Sequence, residues 1–149
     1  MFRPRKFTYV TAIGWNQKTI DEFHTKQGRG IGPWNDNLLL MTAKGVRSGD
    51  EITTPLVYKR DGNRYVVIAS KGGAPDNPKW LANIRAHPEV EVEVAKDGGT
   101  ETFKAEAHVI ESGPERDRLY KEQATVWPAF LDYQKKTSRV IPVVVLERI

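Results

Sequence analysis

The stretch that decides the architecture is Val90–Ile110, VEVEVAKDGGTETFKAEAHVI. Valine and glutamate alternate strictly from Val90 to Val94, and Ala95 follows. A period of two places the valines on one face of a strand and the glutamates on the other, so one face meets a core and the other meets water. Asp97-Gly98-Gly99 supplies turn residues, after which TFKAEAHVI resumes an extended pattern, so the whole segment reads as a hairpin.

The same reading extends in both directions. NLLLMT (Asn37–Thr42) is a continuous apolar run of the kind found in a buried strand, followed by a loop around Gly45 and Gly49. ITTPLVYKR (Ile52–Arg60) and RYVVIAS (Arg64–Ser70) flank Asp61-Gly62, which predicts a second hairpin. ERDRLYKEQATVW (Glu115–Trp127) has a helical apolar period at Leu119, Tyr120, Ala124 and Trp127, with Gly113-Pro114 at its start. RVIPVVVLE near the C-terminus is rich in β-branched residues. Because Pro142 cannot donate to a ladder, that strand is expected at a sheet edge or with a bulge at its beginning.

The first 36 residues are polar and irregular, with a short helix expected around Lys18–Gln27 that stops at Gly28. The following GRGIG is read as a flexible linker and not as a dinucleotide loop, since no strand precedes it and Pro33 blocks a helix after it. The chain thus divides into an N-terminal helix and linker extension over residues 1–36 and a barrel domain over 37–149. About six mostly antiparallel strands with two to four helices and few long crossovers indicate a mainly β fold with flanking helices. A doubly wound α/β sheet would alternate strand and helix throughout.

Composition excludes several functions. At 149 residues the chain can bury one genuine core. The absence of cysteine removes disulfides, thiolate metal sites and cysteine nucleophiles. His24, His87 and His108 lie far apart without ligand spacing, so no metal site is expected. No apolar run reaches the ~20 residues that a membrane span needs, and a cytoplasmic protein is the default. A net charge of +4 suits an anionic ligand, but the basic residues lack the interleaved aromatics of a nucleic-acid surface.

The chemistry-bearing stretch is SKGGAPDNPKWLANI, Ser70–Ile84. A strand ends at Ser70, Lys71-Gly72-Gly73 makes a loop, and Asn77-Pro78 has the form of an N-cap followed by proline at the first helical position. Strand, glycine loop and helix N-terminus together suit an anion, with Lys71 and Lys79 adding charge. A tight turn whose glycines merely supply positive φ explains the same spacing equally well. A second basic loop, Lys44–Gly49, offers Lys44, Arg47 and Ser48 as further phosphate-type donors. No G-x-S-x-G elbow is present, and Asp50, Glu51 and Glu101 read as solvated charges, so the chemistry is expected to come from a bound cofactor.

Three segments, LLLMTAKGVRSGDEITTPLVY, VVIASKGGAPDNPKWLANIRAHPEVEVEV and WPAFLDYQKKTSRVIPVVVLE, together resemble the deazaflavin (F420)-dependent nitroreductase family of actinobacteria. That resemblance implies a split β-barrel that binds reduced coenzyme F420 and passes a hydride from carbon 5 of the deazaflavin to a quinone, activated enone or nitroaromatic. It implies that Lys44, Arg47, Ser48 and Gly49 hold the anionic phosphate and glutamate tail. Ile52, Thr53, Thr54, Pro55, Leu56 and Val57 would line the cofactor cleft. Ile68, Ala69, Ser70 and Lys71 would lie beside the ring, with Lys79, Trp80, Leu81, Ala82 and Asn83 at the helix start. Tyr133 and Ser70 are the implied proton donors, and Trp127, Phe130 and Tyr133 form the implied substrate pocket for a small apolar acceptor. Val46, Leu81, Trp127 and Phe130 depart from the family pattern. A non-catalytic F420 or flavin carrier and an FMN-dependent oxidase of the same barrel class stand as alternatives. The resemblance leaves open the oligomeric state and any peripheral membrane contact through residues 1–36.

Overall fold

A computed structural model of the chain describes residues 14–149. In chain order the elements are α1 (Gly14–Thr25), β1 (Leu38–Lys44), β2 (Glu51–Val57), β3 (Lys59–Asp61), β4 (Arg64–Ile68), α2 (Lys79–Ala86), β5 (Glu89–Lys96), β6 (Gly99–Ile110), α3 (Pro114–Val126), α4 (Ala129–Lys135) and β7 (Val143–Arg148). Short 3-10 turns cover Gly32–Trp34 and Lys71–Gly73. The part of the N-terminal extension before Gly14 lies outside the described residues.

The β5–β6 hairpin forms as its alternation requires. Val90, Val92 and Val94 are buried opposite Ala105, Phe103 and Glu101, while Glu89 and Glu91 face water. All seven strands join one antiparallel sheet in the order β2-β1-β5-β6-β7-β4-β3. The sheet curls into a half-barrel whose interior is filled by Leu39, Met41, Tyr65, Val67, Val92, Phe103 and Leu146, with Leu81 and Ile84 of α2 packed in.

The segment Ile52–Arg60, expected as one strand of a hairpin, is two strands. Tyr58 is the joint: its N–H donates to Asn37 O at 2.9 Å, and the chain leaves β1 to pair with β4. β2 and β3 therefore sit at opposite ends of the sheet, and the described residues form seven strands where about six were expected. The open seam is bridged by Gln123 of α3, whose Nε2 donates to Val57 O and Val66 O, both at 3.0 Å. A buried glutamine is retained here because it satisfies carbonyls of strands far apart in the sheet order.

Pro142 also finds a different place from the one expected. β7 is central, between β6 and β4, and begins one residue after the proline, so no ladder N–H is lost. The Pro142 carbonyl accepts from Ala69 N–H at 3.0 Å. Pro55 does lie within a strand, but that strand is β2 at the sheet edge.

Helices cover two parts of the outer face of the sheet, where the residues alternate with those that fill the interior. At one part, Leu119, Tyr120 and Phe130 of α3 and α4 pack on Val66, Ile68, Val143 and Val145. At the other, Ile20 and Phe23 of α1, with Ile31, pack on Leu38 and Leu40. Phe23 and Ile31 are fully buried, and each such side chain contributes roughly 1.5–3 kcal/mol of burial free energy. The GRGIG stretch is held against the sheet by Ile31, which bridges to Asn35. α1 ends at Thr25, earlier than the helix expected to reach Gln27, and Gly28 at φ +79° returns its N–H to Phe23 O.

β3 is fastened to α3 by charge. Arg118 and Arg64 hold the Asp61 carboxyl down to a pKa of about 2, from an ordinary 3.8. Because the folded-state pKa is the lower one, this stabilisation is complete above about pH 4 and is lost as pH falls through about 2. We expect Asp61→Asn to flatten the acid limb of a stability-against-pH curve between pH 4 and pH 2 while lowering stability at pH 7. Urea denaturation across that range measures it.

Candidate cofactor and acceptor site

The edge of the half-barrel opens into a cavity of about 570 Å³ lined by twenty residues from α1, Trp34, the start of β1, β2, the end of β4, the Ser70–Gly72 turn, Pro78, α2, Trp127 and α4. Its walls are largely apolar: Leu38, Ile52, Leu56, Ile68, Trp80 and Phe130 line it. The only charged side chains among the described lining residues are Lys71 and Lys79. An apolar slot with cations and no carboxylate suits a flat ring joined to an anionic group.

Strand and helix geometry decide which sequence-predicted residues reach this cavity. Ile68 at the end of β4 and Ser70 just beyond it line the cavity, whereas Ala69 between them is fully buried in the core. From α2, Lys79, Trp80 and Asn83 line it, whereas Leu81 is fully buried beside Ile84 and Ala82 is exposed elsewhere. An eight-residue helix cannot turn five consecutive side chains to one ligand. From β2, Ile52, Thr54, Pro55, Leu56 and Val57 line the cavity, and Thr53 instead pairs its hydroxyl with Thr42 at 2.7 Å.

The loop Lys44–Gly49 does not line the cavity. Lys44, Arg47, Ser48 and Gly49 are exposed, and Ser48 Oγ accepts from the Asp50 N–H at 3.0 Å. The loop is nonetheless joined to the cavity wall, because Asn83 Oδ1 accepts from Val46 N–H at 3.1 Å.

The Ser70–Asn77 loop takes a form that the sequence only partly shows. Ser70 is in the right-handed region, and Lys71, Gly72 and Gly73 then follow at φ +47°, +64° and +86°. Asn77 does not cap α2; Pro78 is the capping residue, and Asn77 Oδ1 accepts from Arg139 at 2.9 Å. Lys71 Nζ meets Asp76 at 2.9 Å and holds that carboxyl below its usual range.

Tyr133, Phe130 and Trp127 line the cavity beside Ile68 and the Ser70–Gly72 turn. The Trp127 indole N–H donates to the Tyr133 hydroxyl oxygen at 3.3 Å, and the Phe130 and Tyr133 rings meet edge-on at 5.7 Å. Trp34 packs against Trp127 with ring centroids 6.4 Å apart. Gly72 and Pro78, from the glycine loop and helix start read in the sequence, also line the cavity, and Asn16, Thr19, Trp34 and Leu38 complete the lining without having been expected. The signal for α1 was present in the spacing of Ile20 and Phe23, which puts Asn16 and Thr19 on an adjoining face.

No group of histidines and acids among the described residues could hold a metal ion. The apolar slot with its two lysines suits a planar, anionic organic cofactor. Comparison with known proteins gives the family. The sequence model of the F420H(2)-dependent quinone reductases matches residues 15–148, and the chain belongs to that family of oxidoreductases, whose cofactor is coenzyme F420. An F420H(2)-dependent quinone reductase of Mycobacterium tuberculosis is 38% identical over 112 residues, 74% of this chain and 72% of the relative. The structure of an F420-H2 dependent reductase superposes with a TM-score of 0.66 at 32% identity, covering 74% of this chain and 94% of that one. A structure described as a domain-swapped dimer gives 0.68 at 29% identity over 90% and 98% of the two chains.

F420 carries a phosphate and an oligoglutamate tail, and the residues present fit it. The apolar walls suit the ring, the two lysines suit anionic oxygen, and no lining carboxylate opposes the tail. No helix among the described residues is long and apolar enough to cross a membrane.

Proposed function

We propose that this chain uses reduced F420 to reduce a quinone or a similarly electron-poor, apolar acceptor, with activated enones and nitroaromatics as further candidates. The observation that carries this reading is the apolar slot whose lining holds two lysines, no carboxylate and a hydrogen-bonded tyrosine. Ile52, Thr54, Leu56, Ile68 and Trp80 hold the ring by contact, while Lys71 and Lys79 attract its anionic part. Lys44 and Arg47, outside the cavity, lie where a longer tail would run past Asn83. Bound reduced F420 supplies a hydride from carbon 5.

The protein then has to deliver a proton to the acceptor oxygen. Indole N–H is a donor only, so Tyr133 accepts from Trp127 and keeps its own O–H free to turn toward the cavity. Ser70, which also lines the cavity, is the second candidate donor. Trp127 and Phe130 shape the space for the acceptor and exclude water from it.

Titration of the apoprotein with F420 and, separately, with FMN tests the reading. We expect saturable F420 binding and much weaker binding of FMN. Preference for FMN would favour an oxidase, and F420 binding without reoxidation by any quinone, enone or nitroaromatic would favour a carrier.

A further inference from the structure

Arg139 lies outside the cavity, yet it organises the loop that lines it. Its guanidinium donates to Ser70 O at 2.8 Å, Ala74 O at 2.9 Å, Asn77 Oδ1 at 2.9 Å and Ala69 O at 3.4 Å. No carboxylate forms an ion pair with it among the described residues, since nearby Asp76 is engaged by Lys71. A partly desolvated cation is spent entirely on one loop's acceptors.

The peptide units around the loop are trans, so an N–H points opposite to the carbonyl of the residue before it. Carbonyls of Ala69 and Ser70 turned to Arg139 therefore direct the N–H groups of Ser70 and Lys71 the other way. The right-handed to left-handed succession at Ser70 and Lys71 adds the Gly72 N–H to the same concavity. None of these three N–H groups donates to a backbone carbonyl among the described residues, and all three residues line the cavity.

We propose that Arg139 is a positioning residue for the cofactor. By holding the carbonyl side of the Ser70–Asn77 loop, it keeps three backbone N–H groups turned to the cavity, where they bind an anionic oxygen of F420. The proposal rests on the F420 reading above. Lysine cannot replace the guanidinium here, because a single ammonium has neither the planar fork nor the span to serve four acceptors.

The test compares Arg139→Lys and Arg139→Met with Val92→Ala, which lowers stability from a core position on β5 far along the sheet from the loop. Deazaflavin fluorescence gives F420 affinity, thermal unfolding gives stability, and F420H2 oxidation at saturating cofactor gives kcat. Both Arg139 variants are expected to weaken F420 binding by about tenfold to a hundredfold, with kcat within about threefold of wild type. Val92→Ala should lose stability and keep its affinity. Wild-type affinity in Arg139→Lys, a loss no larger than in Val92→Ala, or failure of both Arg139 variants to fold would overturn the positioning role. A wild-type protein that does not bind F420 would instead remove the functional reading on which it rests.

Discussion

Gly73→Ala is expected to cost roughly 2–4 kcal/mol of stability and to lower kcat/KM by about 100-fold. The added Cβ would stand 2.7 Å from Tyr133 O, 3.0 Å from Tyr133 Cα and 3.1 Å from Lys136 Cβ. Two of those atoms are backbone of α4, so no flexible side chain can move aside to relieve the contact. Gly73 also sits at φ +86°, a conformation that an L-residue adopts only with strain. The loop that lines the cavity and the helix that carries Tyr133 and Phe130 are thus packed backbone against backbone, and one added methyl group would force them apart. Gly72, adjacent and also at positive φ, meets nothing within 4 Å. Gly72→Ala therefore isolates the conformational cost, and we expect it to fall well short of Gly73→Ala in steady-state kinetics and urea unfolding.

Tyr133→Phe should lower kcat for quinone reduction by about 100-fold while leaving F420 affinity unchanged. The substitution keeps the ring that packs edge-on against Phe130 and removes only the hydroxyl. Trp127→Phe removes the indole N–H that fixes the hydroxyl's orientation and should cost about tenfold in kcat, the worth of one orienting hydrogen bond. The double variant should be little worse than Tyr133→Phe alone, because Trp127 acts through Tyr133. Full activity in Tyr133→Phe, with a large loss in Ser70→Ala, would transfer the proton donor's role to Ser70. Acceptor turnover followed by absorbance of oxidised F420 measures all four.

Much of the architecture was legible in local pattern. The Val90–Val94 alternation and the β-branched run of β7 bury the residues that their patterns select, and the helix beginning at Pro114 buries Leu119, Tyr120 and Ala124 but ends one residue before the half-buried Trp127. Features set by contacts distant in sequence were not legible. The break at Tyr58 follows from the chain crossing between sheet ends, and Pro142 escapes its usual penalty by preceding a central strand by one residue. Gln123 and Arg139 bind carbonyls more than fifty residues away, which no spacing rule marks. Family resemblance named contiguous runs such as Lys79–Asn83, whereas helix and strand periods divide each run between cavity and core. Leu81 and Ala69 went to the core for that reason, and Asn16 and Thr19 entered the cavity from a helix that the resemblance did not cover.

The central claim is that this slot brings reduced F420 and a quinone together and lets the first reduce the second. The direct measurement is anaerobic mixing of the protein and F420H2 with a soluble naphthoquinone, following the appearance of oxidised F420. We predict enzyme-dependent oxidation that saturates with both F420H2 and quinone and is strongly impaired in Gly73→Ala. Tight F420 binding without quinone-dependent oxidation, or oxidation undiminished in Gly73→Ala, would contradict the account.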